Sequence, residues 1–380
     1  MLSTFTIRSI PHFIASEFHS WRRGGHRAAA VYPPAQVRFS SLTKEQQGTF
    51  ALKSAVEPGR GVYVTFFGAN SFHLTDGITN ILIDPYFSRD HYYFEVPFWP
   101  VKLPLSPDRI SGCLNRMNIP KLDAILTTHA HFDHSIDVGY VSSYFARARA
   151  ATHFDGNPYP PLYGCRSVAN VALGSLAPEE SSTFPKYNVY EREAAFAALC
   201  KKYNITVVGS SYDASFQCAD FSVKFIEARH IKLPIEVRKE LCGTVDDPLV
   251  PERDYYAYKE GEIHSLVIKH KRWGNILVMG SANYVPGQYD RLSVGDRPDA
   301  MILGIGFLHK KDGIAQYRDN AIKPFNPGKV FLSHWDDLKT LLDEDMKWMA
   351  HTSHDDIYKA VSAVCKDTAF LPLLEWVKVL

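Results

Sequence analysis

A cluster of histidines and one aspartate, directly after an apolar segment, is the feature that most constrains how this chain folds. Residues 122–126 are mainly apolar and predict a short buried strand. His129, His131, Asp133 and His134 follow immediately. The sequence therefore predicts a loop at the carboxyl end of a strand, carrying four side chains that can bind metal.

The spacing of these residues allows the loop to serve two metal ions. Imidazole nitrogens and carboxylate oxygens suit zinc and its neighbours in the transition series. In an extended loop, residues two apart project in the same direction, so His129 and His131 can share one ion while Asp133 and His134 face a second. A solvated polar loop without metal is the alternative interpretation.

The four residues match the His-x-His-x-Asp-His motif of the metallo-β-lactamase superfamily, and the chain resembles this family from about residue 61 to about residue 337. The resemblance implies an α/β fold, an αββα sandwich of two mixed sheets flanked by helices, with the metal ions at one edge. It also implies that His230 is the third ligand of the first ion. His334 would complete the second ion's site with Asp133 and His134.

Two further positions are interpreted through the same resemblance. Asp84 ends a predicted strand before Pro85. In the family, its carboxylate supports the site by accepting a hydrogen bond from a ligand imidazole, whereas the alternative is that it caps its own turn. Ser281 stands where the family usually has an aspartate that bridges both ions. A hydroxyl cannot offset the repulsion between two dications, so we expect weaker binding of the second ion.

Local patterns predict the remaining elements. Asp76-Gly77 is a strong turn signal inside a predicted meander. Predicted strands cover residues 62–67, 71–75, 79–84, 162–164, 221–226, 263–269, 275–280, 300–306 and 329–333. Predicted helices cover residues 107–117, 135–148, 167–173, 191–203, 338–347 and 355–364.

Composition divides the chain into two parts. Residues 1–45 are rich in arginine and poor in acids, which is typical of a mitochondrial transit peptide; an N-terminal arm that packs along the domain is the favoured alternative. Residues 46–380 are predicted to form one metallo-β-lactamase-fold catalytic domain. It includes an aromatic loop (86–104), a variable segment (177–206) and C-terminal helices. The aromatic loop either lines the substrate site or packs beneath a neighbouring loop.

Charge and cysteine content narrow the class of protein. The formal net charge of +1 gives no support for nucleic-acid binding. The six cysteines lack Cys-x-x-Cys spacing and predict reduced, mostly buried residues of an intracellular, cytoplasmic protein, with a mitochondrial location as the alternative. No apolar run is long enough to predict a transmembrane segment.

Three protein ligands and an open position mark a catalytic zinc site rather than a structural one. We therefore expect a hydrolase in which zinc-bound hydroxide attacks an ester, a lactone or a phosphodiester. By resemblance, Asp133 orients this nucleophile beside the ligand His131. The expected cofactor is one or two Zn²⁺ ions, with iron or manganese as alternatives.

The layout most resembles the branch of the family that contains ascorbate-6-phosphate lactonase and N-acylphosphatidylethanolamine phospholipase D. The substrate is then a small molecule, either lipid-like or anionic. Four cationic side chains suit an anion if their loops face the metal edge: Arg229, Lys232, His309 and Lys310. The alternative function is a degenerate, non-catalytic binding protein of the same fold.

Overall fold

The computed structural model describes residues 52–53, 56–90, 102–151, 156–185, 187–209, 214–233, 240–287, 290 and 292–380. The N-terminal segment 1–45 and residues 91–101 of the aromatic loop lie outside these residues. Within them, the chain forms two mixed sheets whose apolar faces share one core, with helices packed against the sheets. The predicted αββα sandwich is confirmed.

The first sheet has eight strands in the order β1-β15-β2-β3-β4-β5-β6-β7. The strands are β1 (Leu52–Lys53), β2 (Tyr63–Phe66), β3 (Phe72–Thr75), β4 (Asn80–Ile83), β5 (Ala124–Leu126), β6 (Leu162–Gly164), β7 (Ile205–Val207) and β15 (Trp376–Lys378). Strands β4 to β7 run parallel to one another, and the others pair antiparallel.

The second sheet has seven strands in the order β14-β13-β12-β11-β10-β9-β8. The strands are β8 (Ser215–Cys218), β9 (Phe221–Glu227), β10 (His264–His270), β11 (Gly274–Met279), β12 (Ala300–Gly304), β13 (Lys329–Ser333) and β14 (Thr368–Phe370). Strands β8 to β11 form an antiparallel meander, and β11 to β14 are parallel. Each sheet therefore combines an antiparallel part with a parallel part.

The α-helices of the described residues are α1 (Pro107–Met117), α2 (Phe132–Ser135), α3 (Val138–Ala150), α4 (Arg166–Leu176), α5 (Pro178–Ser182), α6 (Val189–Lys202), α7 (Lys311–Tyr317) and α8 (His354–Ser362). Their ends follow local chemistry. Helix α1 begins with proline, which lacks the N–H that a first turn leaves unpaired, and ends at Asn118 in the left-handed conformation. The Asn188 side chain caps α6 by accepting from two backbone N–H groups. No helix in these ranges has the length and apolarity needed to cross a bilayer.

The apolar pattern of the strands matches their burial. In β9, Phe221, Val223 and Phe225 are buried while Ser222 and Lys224 are half-buried, as strict alternation predicts. Strands β5 and β12 are buried at every position because they lie inside their sheets and are covered on both faces. Full burial of each large apolar side chain contributes about 2 kcal/mol to folding.

One predicted helix is wrong, and a second begins elsewhere. Residues 338–347 form turns rather than a helix. Their carbonyl groups bond outward instead of along a helix: Arg89 donates to Thr340 O, and the Tyr86 hydroxyl donates to Leu338 O. The helix predicted from residue 135 is divided into α2, which already includes the end of the histidine cluster, and α3. The variable segment 177–206 extends into the edge strand β7 of the first sheet.

The buried side chain of His73 in β3 makes the stability of the fold depend on pH. Its side chain is buried beside Trp376, and Nε2 lies 3.0 Å from Asn80 Oδ1. Burial lowers the pKa of His73 from 6.5 to about 4 against the smaller raising effect of Asn80. The unfolded chain therefore takes up a proton near pH 6.5, whereas the folded protein does so only near pH 4. As the pH falls from about 6.5 to about 4, the free energy of unfolding therefore decreases by about 3 kcal/mol because of this residue.

We expect the His73→Gln variant to lose less stability than the wild type between about pH 7 and about pH 4, since the amide carries no proton to gain. Urea denaturation at a series of pH values measures this difference. His309→Gln, at an exposed histidine, is the control and should follow the wild type. Parallel pH profiles for His73→Gln and the wild type would contradict the prediction.

Candidate metal centre

The candidate ligands lie at one edge of the sandwich, where strands of both sheets end. Asp84 follows β4 and the histidine cluster follows β5, and these two strands are parallel. In the second sheet, His230 follows β9 and His334 follows β13. The sheets are tied together here, because His264 N donates to Thr128 O at 2.8 Å.

His129, His131 and His230 form the first group of donors, in which three ring nitrogens lie within 4.8 Å of one another. His131 Nε2 donates to Leu241 O at 3.3 Å, which leaves Nδ1 without a proton, 3.2 Å from His129 Nε2. His230 Nδ1 donates to Ile231 O at 3.0 Å, which leaves its Nε2 available. Backbone carbonyl groups thus select the tautomers that expose nitrogen lone pairs to one another.

Burial keeps these three imidazoles neutral. It lowers the pKa of His131 from 6.5 to about 4, although the Asp133 carboxylate opposes the shift. Burial, reinforced by the neighbouring histidines, lowers the pKa of His129 and of His230 well below 6.5. Neutral imidazole is the form that binds metal, so this group can take up an ion near neutral pH without first losing protons.

Asp133, His134 and His334 form the second group, with donor atoms again within 4.8 Å of one another. Asp133 Oδ2 lies 3.4 Å from His134 Nε2 and 3.2 Å from His334 Nε2. Burial disfavours the charged form of His134, but the Asp133 and Asp84 carboxylates outweigh it and raise the pKa of His134 to about 10. Without a metal, His134 therefore carries a proton and pairs with Asp133, and an ion that binds this group has to displace that proton.

Asp84 lies behind both groups and is fully buried. Its Oδ2 accepts from His134 Nδ1 at 2.8 Å, from Asn70 Nδ2 at 2.7 Å and from the Thr128 hydroxyl at 2.7 Å. Its Oδ1 accepts from Thr128 N at 2.7 Å. The bond from His134 Nδ1 directs the opposite nitrogen of that ring toward Asp133.

Thr128 and Asn70 contact the Asp84 carboxylate at the candidate centre, and the sequence patterns did not identify either residue. His129 Nδ1 lies 3.1 Å from the Thr128 hydroxyl, which donates its own proton to Asp84 and therefore accepts from the ring. This arrangement places the ring proton of His129 on Nδ1 and leaves Nε2 unprotonated, facing His131. A Cβ atom on Gly280 would lie 2.5 Å from the same hydroxyl, so the close approach of β11 requires glycine. The sequence signal was weak, since Thr128 appears as one polar residue before the motif.

Ser281 contacts the loop that carries His230. Its hydroxyl accepts from Ile231 N at 2.9 Å, and the Asn283 side chain donates to His230 O at 2.6 Å. Ser281 and Asn283 therefore both hold the peptide bond that follows the candidate ligand His230.

The four cations considered for anion binding, Arg229, Lys232, His309 and Lys310, are exposed. His354 stays outside the centre because its Nε2 bonds Trp335 O.

The two donor groups fit transition-metal ions. Each offers three nitrogen or oxygen donors, which is the number that catalytic zinc sites use while leaving a position open. Four of the five candidate ligand rings, all except His334, are oriented by hydrogen bonds from their other nitrogens, as in established metal sites. The rings of His129 and His134 are 3.9 Å apart between centroids, so the two groups are adjacent.

Comparison with known proteins agrees with this fold. Residues 64–226 match the model of the metallo-beta-lactamase superfamily and therefore form a domain of that superfamily. The matched residues include Asp84 and the histidine cluster, whereas His230, Ser281 and His334 lie beyond them.

Individual similar proteins are distant. A protein of Aeropyrum pernix named UPF0173 metal-dependent hydrolase is 27% identical over 120 residues, or 32% of this chain and 36% of that protein. The chain thus matches about a third of that relative's length. The metallo-beta-lactamase fold protein YhfI from Bacillus subtilis has a TM-score of 0.45 and 13% identity, covering 83% of this chain and 98% of that one. CmlA, a diiron beta-hydroxylase from Streptomyces venezuelae, has a TM-score of 0.45 and 11% identity, covering 84% and 54%.

We expect Asp84→Asn to lower Zn²⁺ affinity about 10- to 100-fold, the usual effect of removing a partner that orients a ligand. Both carboxylate oxygens of Asp84 accept hydrogen bonds. In Asp84→Asn, the NH₂ group that replaces one of these oxygens would face an N–H or O–H donor and could not bond to it. Competition with a chromophoric chelator measures the affinity.

Asp123→Asn is the matched control for this experiment. Its carboxylate accepts from Asn80 N at 2.9 Å, at the opposite end of β4, so this change should affect stability but not metal binding. Equal Zn²⁺ affinities for Asp84→Asn and Asp123→Asn would contradict the role of Asp84.

Proposed function

We propose that this protein is a metal-dependent hydrolase whose ions are held by His129, His131 and His230 and by Asp133, His134 and His334. The observation that carries the proposal is the gathering of these six side chains, from three strand ends, into two compact groups of three donors. In the first group, hydrogen bonds to the rings leave donor nitrogens directed at one another. Such preorganisation has a cost in buried polar groups that metal binding would offset.

A Zn²⁺ ion with an open position supplies a water of near-neutral pKa and polarises a carbonyl or phosphoryl oxygen. The protein's part is to position the reactants. Asp133 is buried, and its pKa is held well below 3.8 because the lowering by His134 and His334 outweighs the raising by burial. It therefore remains a carboxylate that can accept a hydrogen bond from an attacking water and orient it. His131 is held beside it by Leu241 O.

Zinc is the proposed metal because imidazole and carboxylate donors in groups of three suit it, with iron and manganese as the alternatives that elemental analysis distinguishes. The first group would bind more tightly. Ser281 offers no negative charge between the ions, and its hydroxyl is already engaged with Ile231 N. The second ion would then experience uncompensated repulsion.

The proposed substrate is a small molecule with an ester, lactone or phosphodiester bond, as the resemblance to the lactonase and phospholipase D branch suggests. Lipid-like and anionic substrates both fit this class. Arg229 and Lys232 support an anionic one, since they lie on the His230 loop and are exposed. We also propose that residues 46–380 act as one catalytic domain in the cytoplasm, with mitochondrial import through residues 1–45 as the alternative.

His131→Ala should reduce hydrolysis of bis(4-nitrophenyl) phosphate or of an aryl lactone by about 100-fold or more, because it removes a ligand of the first ion. Absorbance of the released phenol, together with elemental analysis of the same samples, measures activity and metal content. His73→Gln is the matched control, since it changes a buried histidine outside the centre. Undiminished activity in His131→Ala would refute the proposal.

The number and order of bound ions can be tested with Ser281→Asp. We expect the wild type to bind a second Co²⁺ more weakly than the first, and the variant to bind it about tenfold or more tightly, because a carboxylate offsets repulsion between the ions. Calorimetric titration of metal-free protein measures both events. Ser281→Ala is the control that removes the hydroxyl without adding charge. No metal binding in any variant would instead favour the non-catalytic binding protein.

A further inference from the structure

A buried ion pair lies beside the second donor group and joins loops that are distant in sequence. Arg89 Nη2 donates to Asp336 Oδ2 at 2.6 Å, and the two side chains are 1% and 0% exposed. Arg89 lies in the segment that follows Asp84, and Asp336 lies two residues after His334. The pair thus connects the segment behind the centre with the loop that delivers its last candidate ligand.

Both members of the pair make further bonds to backbone. The Arg89 guanidinium donates to Asp337 O at 2.9 Å and to Thr340 O at 3.3 Å. Both Asp336 carboxylate oxygens accept from Ala69 N, at 2.8 Å and 3.0 Å. The ion pair and its hydrogen bonds therefore join three loops, which comprise residues 67–70, 85–90 and 334–340.

The chain makes room for this contact in the turn between β2 and β3. Gly68 has a φ of +85°, and a Cβ atom there would lie 2.0 Å from Arg89 Nη2 and 2.4 Å from Asp336 Oδ2. Only glycine combines this left-handed conformation with such close approach. The turn is thus shaped around the ion pair.

His334 needs external support, because its own backbone is in an unfavourable conformation. Its φ of 56° is in the left-handed region, which costs a non-glycine residue roughly 1 kcal/mol or more and persists only where neighbours hold it. Ser333, before it, donates through its hydroxyl to Asn70 Oδ1 at 3.2 Å. Asp336, after it, is held by Arg89. The ligand is therefore anchored on both sides by buried polar contacts.

We propose that Arg89 and Asp336 are positioning residues that hold His334 in place to bind the second metal ion. This inference rests on the proposed metal centre. Pairs of buried charges give little net stability, because desolvation cancels most of their attraction, but they impose one geometry on the groups they join. The role of this pair is accordingly to fix the His334 loop rather than to stabilise the fold.

Three variants separate positioning from stability: Arg89→Met, Asp336→Asn and the double variant. Each single variant leaves a buried charge or its polar partners unpaired and should lower the melting temperature, whereas the double variant removes both charges and should recover much of it. Calorimetric titration of the metal-free full chain with Co²⁺ gives the affinities of the first and second ions. We expect all three variants to bind the second ion about 10- to 100-fold more weakly, with the first ion nearly unaffected.

The control is His73→Gln, which breaks another buried polar contact, outside the candidate metal centre. His73 Nε2 lies 3.0 Å from Asn80 Oδ1, and the His73 side chain is as buried as the Arg89 pair. This variant should lose stability but keep the wild-type affinity for both ions.

The outcomes distinguish the two proposals. Wild-type affinity for the second ion in the double variant would overturn the positioning role, as would a wild type that binds a single ion. A wild type that binds no ion would overturn the proposed metal centre itself. Loss of the second ion in His73→Gln as well would attribute the effect to general destabilisation and also overturn the inference.

Discussion

The carboxylate of Asp84 is the contact on which the arrangement of the metal edge depends. Four donors converge on it inside the protein, so its charge is solvated by the chain rather than by water. Two of these bonds come from Thr128, one from Asn70 and one from His134. A buried charge with fewer donors would destabilise the fold, so these bonds favour the arrangement in which β4, β5 and the β2–β3 turn meet at Asp84.

The mixed character of both sheets explains why the edge can assemble. In each sheet the parallel half brings successive strand ends to the same side, and the antiparallel half returns the chain through short turns. The loops at this edge are joined by buried polar contacts, such as Arg89 with Asp336 and Ser333 with Asn70. Polar contacts are directional, so they fix loop conformation more closely than apolar packing does.

Periodicity and motif spacing were sufficient to predict several strands and the candidate ligands that follow them. Strand β9 alternates, and the run before His129 is continuous and apolar, so both strands and the residues after them could be located. The roles of Thr128 and Arg89 depend on partners far along the chain and leave no local pattern. The same reason explains the wrong helix over residues 338–347, where helical composition is overridden by bonds to Arg89 and Tyr86.

The two donor groups differ in charge, and this difference bears on what the centre can bind. The rings of the first group are oriented by neutral partners, namely the Leu241 and Ile231 carbonyls and the Thr128 hydroxyl. Only the second group has a carboxylate among its donors, and Ser281 adds none. Two dications in adjacent groups would then carry more positive charge than the protein offsets. If the proposed centre holds two ions, the remaining negative charge would come from solvent hydroxide or from the substrate, which is an argument for an anionic substrate.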